Sequence, residues 1–290
     1  MTHLGIGLLW LLHAILPTAV LARLGEALGG LLFRVAGRRR RIGEINLALC
    51  FPELDAAARA ARLRAHFRAV GRATLLETVA WWGSRAAVER LVRVEGEAIL
   101  HAQLGRPLIL LAPHFVGLNL GGVRMACLYG ECVSMYARIK NRLLDRLMLH
   151  ARTRFGAQEL VTRQQGIKPI LRAIKRGKPF YYLPDLDFGR KDAVFVPFFG
   201  VSAATIGGLS RIARATGAAV VPLVTRWRGD HYEMRFYPAW TDFPSADVEA
   251  DTRRMNAFIE ERVREMPEQY FWLHKRFKTR PQRSDPDLYD

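Results

Sequence analysis

The chain has 290 residues, of which 50% are hydrophobic, enough for one large core or two modest domains. Charged residues make up 24%, which excludes disordered, collagen-like and low-complexity classes. The 44 Lys and Arg against 27 Asp and Glu give a net charge of +17, so we expect an anionic partner: nucleic acid, lipid head groups, a phosphorylated substrate or an acidic carrier protein. The three cysteines form no Cys-x-x-Cys pair, which argues against a disulfide framework and a cysteine zinc site.

The first segment of the chain is apolar. No Lys, Arg, Asp or Glu occurs from Thr2 to Ala22, and a bilayer requires roughly 20 such residues. The basic run Arg38–Arg41 follows it, as expected for a collar that faces phospholipid head groups on the cytoplasmic side. We predict a hydrophobic membrane-anchor helix over residues 1–35, which spans the membrane or lies in its interface, and a catalytic domain over residues 36–290. A buried core helix is the alternative for the anchor, and a solvated turn or a nucleic-acid patch for the arginines.

Helical and strand patterns alternate through the rest of the chain. Asp55 is the predicted N-cap of a helix that runs to about Trp82. Further helices are predicted at 118–128, 143–155, 167–175, 206–215 and 250–264, and strands at 108–112, 133–136, 180–183, 218–225 and 232–237. This order predicts an α/β fold, a mixed and largely parallel sheet covered by helices on both faces.

One predicted strand is followed directly by a histidine. His114 comes two residues after the predicted strand that ends at Ala112, and Asn119 comes five residues after His114. Reacting groups in open α/β sheets lie in the loops at the carboxyl ends of strands. His114 is therefore a candidate catalytic base, although a single histidine at such a place is commonly structural.

Several blocks together resemble a known family. A histidine followed five residues later by an acid, after an apolar strand, resembles the glycerolipid acyltransferase superfamily, and this chain has the histidine. The blocks at 182–189 (YLPDLDFG), 194–200 (VFVPFFG) and 267–281 (PEQYFWLHKRFKTRP) are similar to those of the late lauroyl- and myristoyl-type acyltransferases of lipid A biosynthesis. Asn46-Leu47 and the CFPEL run at 50–54 belong to the same resemblance, which spans nearly the whole chain.

The resemblance implies an activity. Members of that family transfer a fatty acyl chain from acyl carrier protein to a hydroxyl of an acylated, phosphorylated glucosamine disaccharide, the lipid A precursor. By resemblance His114 is the general base, and no acyl-enzyme forms. Arg152, with Arg154 as the alternative register, and Arg138, Asp185 and Asp187 are the implied substrate-binding residues. The two aspartates could instead stabilise a turn.

The resemblance also implies partners and a place in the cell. We expect acyl carrier protein, the lipid A precursor and an anionic phospholipid membrane as partners, and no nucleic acid. The acyl group arrives on the phosphopantetheine of the carrier protein, so neither a further cofactor nor a metal is expected. We expect a monomer anchored at the cytoplasmic face of a bacterial inner membrane.

Asn119 departs from the pattern of the family, which has Glu or Asp at this position. An amide can accept the ring N–H of a histidine but carries no charge, and the same change in serine-protease triads costs roughly 10⁴ in rate. Three explanations stay open: an engineered substitution, a natural one with Asp185 or another carboxylate serving His114, or a relative that binds lipid without turnover. An acyltransferase for another hydroxylated lipid is the alternative within the enzyme class.

Overall fold

The computed structural model describes residues 2–290, which contain eleven α-helices and nine β-strands. The helices are α1 (Thr2–Ile15), α2 (Thr18–Val35), α3 (Gly37–Cys50), α4 (Ala56–Trp82), α5 (Arg85–Leu91), α6 (Glu97–His101), α7 (Leu118–Tyr129), α8 (Arg142–Thr153), α9 (Lys168–Lys175), α10 (Gly208–Thr216) and α11 (Val248–Glu265). The strands are β1 (Val92–Glu95), β2 (Leu108–Leu111), β3 (Val133–Tyr136), β4 (Glu159–Thr162), β5 (Phe180–Tyr182), β6 (Ala193–Phe198), β7 (Val201–Ile206), β8 (Ala219–Arg228) and β9 (His231–Phe236).

Seven strands form one sheet in the order β1-β9-β8-β2-β5-β3-β4. Every neighbouring pair is parallel except β8 and β9, which form an antiparallel hairpin. Strands β6 and β7 form a separate antiparallel hairpin. The prediction of a mixed, largely parallel α/β sheet is confirmed.

The central strand β2 shows why the sheet is buried on both faces. All four of its residues are fully buried, as expected for an uninterrupted apolar run between two helical layers. Ile109 and Leu111 pack in a core with α9, α10 and α11, whereas Leu108 and Leu110 pack in a second core with α4, α5 and α7. Successive side chains of a strand point to opposite faces, so one short strand joins both cores.

The N-terminal segment contains two helices, and the prediction of a single anchor helix over residues 1–35 is wrong. Pro17 separates α1 from α2 and takes an extended conformation with ψ of 148°. Its ring lacks an N–H and clashes with the preceding turn, so a helix cannot run through it undisturbed. Among the helices of residues 2–290, none combines the length and the hydropathy that crossing a bilayer requires.

Helix α2 packs closely on α4 through three glycines. A Cβ atom added to Gly71 would lie 2.1 Å from the carbonyl oxygen of Gly25, and one added to Gly29 would lie 2.1 Å from the carbonyl oxygen of Phe67. Glycine is therefore required for the two backbones to approach this closely. This contact attaches the N-terminal helices to the α/β domain.

Most predicted elements agree with the structure to within a few residues. Asp55 caps α4 as predicted, because its carboxylate accepts a hydrogen bond from the backbone N–H of Ala58 at 2.6 Å. Strands β1 and β4 and the β6–β7 hairpin were not predicted. Three of these four strands carry charged or proline residues that obscure the strand pattern, namely β1, β4 and β6.

Candidate active site

The strand order brings two loops together at the carboxyl edge of the sheet. Strands β2 and β5 are parallel neighbours, and Leu111 pairs with Tyr182. His114 and Asp185 each lie three residues beyond these paired positions, so the same register places them side by side. A histidine loop and an acidic loop that are distant in sequence therefore form one site.

His114 and Asp185 form a hydrogen-bonded pair. The ring Nδ1 of His114 lies 2.7 Å from Oδ1 of Asp185, and the backbone N–H of His114 donates to both carboxylate oxygens at 3.2 and 3.0 Å. The Asp185 side chain is fully buried, whereas 18% of the His114 side chain is exposed. The Asp185 carboxylate therefore fixes the orientation of the imidazole through both its ring and its backbone.

The pKa of Asp185 determines which ring nitrogen carries the proton. Burial favours the neutral acid, but the charge of His114 and its ring and backbone hydrogen bonds outweigh this effect and hold the pKa of Asp185 below its ordinary value. An ionised carboxylate can only accept, so Nδ1 of a neutral His114 carries the proton. Nε2 is then the free basic nitrogen, as a general base requires.

The C-terminal block holds the histidine loop in place. The backbone N–H of Phe271 donates to the carbonyl of His114 at 3.0 Å, and the N–H of Val116 donates to the carbonyl of Gln269 at 2.9 Å. The Tyr270 ring packs against that of Phe115, with their centroids 5.6 Å apart. The PEQYFWLHK block thus supports the site although it follows His114 by more than 150 residues.

A cavity of about 670 Å³ opens beside His114. Its wall is mainly apolar and includes Met135, Leu149, Phe180, Leu186, Phe188 and Ile212. Its charged lining consists of three arginines, Arg152, Arg163 and Arg211, and two aspartates, Asp145 and Asp192. An apolar cavity in which cationic side chains outnumber anionic ones suits a ligand that has both a hydrocarbon chain and negative charge.

Asn119 does not contact the imidazole. Its Oδ1 accepts a hydrogen bond from Arg152 at 2.8 Å, and its Nδ2 donates to Oε2 of Glu77 on α4 at 3.3 Å. In the part of the chain that the structure describes, no hydrogen bond joins Asn119 to His114. The two residues predicted as catalytic therefore have different partners, and Asn119 is connected to the cavity beside His114 through Arg152.

The structure distinguishes the two arginines of α8 and the loop that follows it. Arg152 lines the cavity, whereas Arg154 donates to the carbonyls of Trp81, at 3.0 Å, and Gly83 at the end of α4. An arginine in that position satisfies carbonyls that have no partner within the helix. Of these two arginines, only Arg152 can therefore contact a ligand in the cavity.

Asp187 and Arg138 are not among the residues that line the cavity. The Asp187 carboxylate accepts hydrogen bonds from the backbone N–H of Gly189, at 2.9 Å, and from both the backbone and the hydroxyl of Thr279, at 2.6 and 2.8 Å. It thereby ties the acidic loop to the C-terminal segment. Arg138 is exposed in the loop after β3, between two residues that line the cavity, Ala137 and Ile139.

The site contains five charged residues that were not predicted from the sequence, namely Arg163, Arg211, Asp145, Asp192 and Glu77. Arg163 and Arg211 belong to segments where arginines are common, so nothing in their local pattern distinguishes them. Glu77 did have a signal, because it is the single charged residue in the apolar run from Ala73 to Trp82. An isolated charge on a helix face that is otherwise buried requires a polar partner.

Comparison with known proteins gives the family. A family model described as "Bacterial lipid A biosynthesis acyltransferase" matches residues 1–279. The chain belongs to this family. The "Lipid A biosynthesis lauroyltransferase" of Escherichia coli (strain K12) is 37% identical over 287 residues, which cover 97% of this chain and 92% of that protein. The prediction of the family and of an acyltransferase is confirmed.

Other family members show comparable similarity. The "Lipid A biosynthesis palmitoleoyltransferase" of Escherichia coli (strain K12) is 32% identical, covering 97% of this chain and 92% of that protein. The "Lipid A biosynthesis myristoyltransferase" of the same organism is 32% identical, covering 90% of this chain and 80% of that protein. These three relatives have names that specify three different acyl groups, so membership gives the reaction class and leaves the acyl chain to be measured.

Proposed function

We propose that this acyltransferase moves a fatty acyl chain from acyl carrier protein to a hydroxyl of an acylated, phosphorylated glucosamine disaccharide, with His114 as the general base. The observation that carries the proposal is the hydrogen-bonded pair of His114 and Asp185 at a cavity with apolar and cationic walls. Family membership supports the same reaction class.

The proposed reaction requires one base and no nucleophilic side chain. Nε2 of His114 takes the proton of the acceptor hydroxyl while its oxygen attacks the thioester carbonyl. The tetrahedral intermediate collapses, the carbon–sulfur bond breaks, and the carrier thiolate leaves. The thiolate then takes the proton from the imidazolium, so the products are an ester and a carrier thiol.

Asp185 supplies the negative charge that this step needs. When Nε2 accepts the proton the imidazole becomes a cation, and the carboxylate 2.7 Å from Nδ1 stabilises it. The aspartate of serine-protease triads has the same role. Asp185 therefore provides the carboxylate that the Asn119 position lacks, in keeping with the explanation that Asn119 is natural and that another acid serves His114.

The cavity suits both the acyl chain and the charges of the substrates. Its apolar wall would hold hydrocarbon, and burial of each methylene group contributes about 0.8 kcal/mol. Arg152, Arg163 and Arg211 would face phosphate groups or the oxyanion of the tetrahedral intermediate.

The N-terminal helices supply a surface for the membrane. Leu4, Leu8, Leu11 and Ile15 of α1 are exposed at spacings that put them on one helix face, and Leu24, Leu28, Leu31 and Val35 of α2 follow the same period. With Arg38–Arg41 just beyond, we infer that both helices lie in the interface at the cytoplasmic face of the inner membrane.

The test is a direct assay with defined substrates. Purified protein is mixed with the tetra-acylated disaccharide and with acyl-acyl carrier proteins that carry chains of several lengths. The masses of the products are measured by mass spectrometry. We expect a gain of one acyl unit, which also identifies the chain. Absence of acylated product with both this protein and its Asn119→Glu variant would overturn the proposal, and retained lipid binding would then support a binding role without turnover.

A further inference from the structure

A second carboxylate lies behind the cavity wall and has no part in the reaction as described. Glu77 projects from α4 toward α7, and its Oε2 accepts a hydrogen bond from Nδ2 of Asn119 at 3.3 Å. Oδ1 of the same amide accepts from Nη2 of Arg152 at 2.8 Å. The three side chains therefore form one chain of hydrogen bonds from α4 through α7 to α8.

The chemistry of the three side chains determines which group donates and which accepts each of these hydrogen bonds. A carboxylate only accepts hydrogen bonds and a guanidinium only donates them, whereas an amide does both. The amide of Asn119 is thus held with its oxygen toward Arg152 and its NH₂ toward Glu77. An ionised carboxylate at position 119 could accept from Arg152 but could not donate to Glu77, and it would place two negative charges side by side.

Arg152 is the member of this series of hydrogen bonds that reaches the cavity. Its side chain lines the same cavity as His114. Desolvation lowers the pKa of Arg152, and the charge of Glu77 is the largest effect that opposes it, ahead of Tyr181, Tyr136 and Asp145. Glu77 therefore stabilises the guanidinium electrostatically, although Glu77 itself does not line the cavity.

We propose that Glu77 is a positioning residue of the acyltransferase, which holds the guanidinium of Arg152 at the cavity wall through the amide of Asn119. The inference rests on the proposed function for the role of Arg152 in turnover, but the coupling between the three side chains exists independently of it. The neutral amide of Asn119 then connects the carboxylate of Glu77 with the guanidinium of Arg152.

The ionisation of Glu77 supports this assignment and supplies a readout. Desolvation raises its pKa to about 7, and the charge of Arg152 and the hydrogen bond from Asn119 oppose the rise. The titratable groups that face it are Arg152 from α8 and Tyr232 from β9. Its interaction with Arg152 should therefore be full above pH 8 and should weaken as the pH falls through 7.

The first experiment measures the coupling without any substrate. Urea unfolding of the wild type, Glu77→Gln, Arg152→Gln and the double variant forms a cycle at pH 8.5 and at pH 5.5. We expect a coupling of about tenfold in the unfolding equilibrium constant at pH 8.5 and less at pH 5.5, within the range for residues in one network. Arg152→Lys replaces Arg152→Gln if the latter does not fold.

A matched pair serves as the control of this cycle. Glu131 is an exposed acid paired with Lys178, and it is not among the groups that shift the pKa of Arg152. Glu131→Gln combined with Arg152→Gln should be additive at both pH values. Additive effects for Glu77 and Arg152 as well would overturn the inference.

The second experiment moves the carboxylate from position 77 to position 119 and the amide from position 119 to position 77. Glu77→Gln and Asn119→Asp are each close in shape to the native residue, and together they exchange the acid and the amide. The new amide at 77 can donate to the new carboxylate at 119, which still accepts from Arg152. Each single variant should lower kcat by about tenfold to a hundredfold, as for hydrogen bonds to charged groups, and the double variant should recover most of the loss.

The two experiments separate this inference from the proposed function. A role for Glu77 in stability alone predicts that exchange restores no turnover, so a double variant no more active than Glu77→Gln would overturn the inference. If neither the wild type nor its Asn119→Glu variant shows acyl transfer, the proposed function fails, and the pH-dependent coupling of Glu77 with Arg152 then tests the inference without any turnover.

Discussion

The imidazole of His114 and the carboxylate of Asp185 lie 2.7 Å apart although their positions in the chain differ by 71. Both residues follow parallel neighbouring strands, β2 and β5. Because Leu111 pairs with Tyr182, the two loops leave the sheet next to each other at its carboxyl edge. The carboxylate of Asp185 thus orients the imidazole, whereas Asn119 carries no charge and has other hydrogen-bond partners.

Loss of either member of this pair should abolish efficient acyl transfer. We expect Asp185→Asn to lower kcat by about 10⁴-fold, as the equivalent change does in serine-protease triads. His114→Ala should cost about 10²- to 10⁴-fold, the contribution of a general base. Asp187→Asn is the matched control, because that acid contacts Gly189 and Thr279, and it should reduce stability more than kcat. Equal losses of kcat at 185 and 187 would contradict the assignment.

Arg152 and Arg154 should give opposite results when each is replaced by glutamine. Arg152→Gln removes a cation from the cavity wall and should lower kcat/KM by about 10²-fold, comparable to loss of one oxyanion donor. Arg154→Gln breaks hydrogen bonds to the carbonyls of Trp81 and Gly83 and should cost about 1–3 kcal/mol of stability with near-normal kinetics. Steady-state kinetics and urea unfolding of both variants check this, and a kinetic defect confined to Arg154→Gln would contradict it.

The contact between α2 and α4 should not tolerate a methyl group. Gly71→Ala puts a Cβ 2.1 Å from the carbonyl oxygen of Gly25, so we expect a destabilisation of about 1–3 kcal/mol from overpacking. Gly30→Ala on α2 is the control, because a Cβ there meets nothing within 4 Å. It should be neutral or stabilising by up to about 1 kcal/mol, the helix-propensity difference. Urea unfolding compares the two, and equal effects would contradict this packing.

His66 should make the protein less stable in mild acid. Burial lowers its pKa to about 4, and its ring Nδ1 lies 2.9 Å from the carbonyl oxygen of Glu268. The unfolded state binds the proton from about pH 6.5 downward while the folded state does not, so stability is lost as the pH falls from 6.5 toward 4. This group should contribute a loss of about 2 kcal/mol between pH 7.5 and pH 5.

The contribution of His66 is measured as the difference between the wild type and a His66 variant in the pH dependence of unfolding. Glu77 has a raised pKa and acts in the opposite direction, since its proton stabilises the folded state as the pH falls through 7. The pH dependence of unfolding is therefore compared between the wild type and His66→Gln, which keeps a donor for Glu268. We expect the variant to lose less stability in acid, and parallel curves for both proteins would contradict the prediction.

The exposed leucines of α1 should determine binding to anionic membranes. Replacing Leu4, Leu8 and Leu11 by serine removes exposed apolar area, and we expect vesicle affinity to fall by about tenfold for each leucine. Co-sedimentation with phosphatidylglycerol and phosphatidylcholine vesicles measures it. The wild type should prefer the anionic vesicles at low salt because of Arg38–Arg41. Unchanged binding of the triple variant would contradict a membrane surface on this face.

Local patterns were sufficient for most of the fold. The LILL run of β2 and the VSMY run of β3 are short strand patterns that could be recognised from the sequence. Asp55 has the carboxylate that caps a helix. The sequence was less informative where polar residues interrupt a strand, as in β4, or where Pro197 lies within the β6–β7 hairpin. Pro17 was visible in the sequence, and its conformational restriction decides the break between α1 and α2.

The sequence by itself determined the α/β class, the position of His114 after a buried strand and the family, because each follows from the order of residues along a short segment. Only the tertiary structure decided that Asp185 orients His114, that Asn119 bridges Arg152 and Glu77, and that Arg152 lines the cavity while Arg154 does not. Local periodicity fixes which face of an element is buried. The partner of a side chain depends on the order and register of strands and helices that are far apart in sequence, and these are set by the packing of the whole domain.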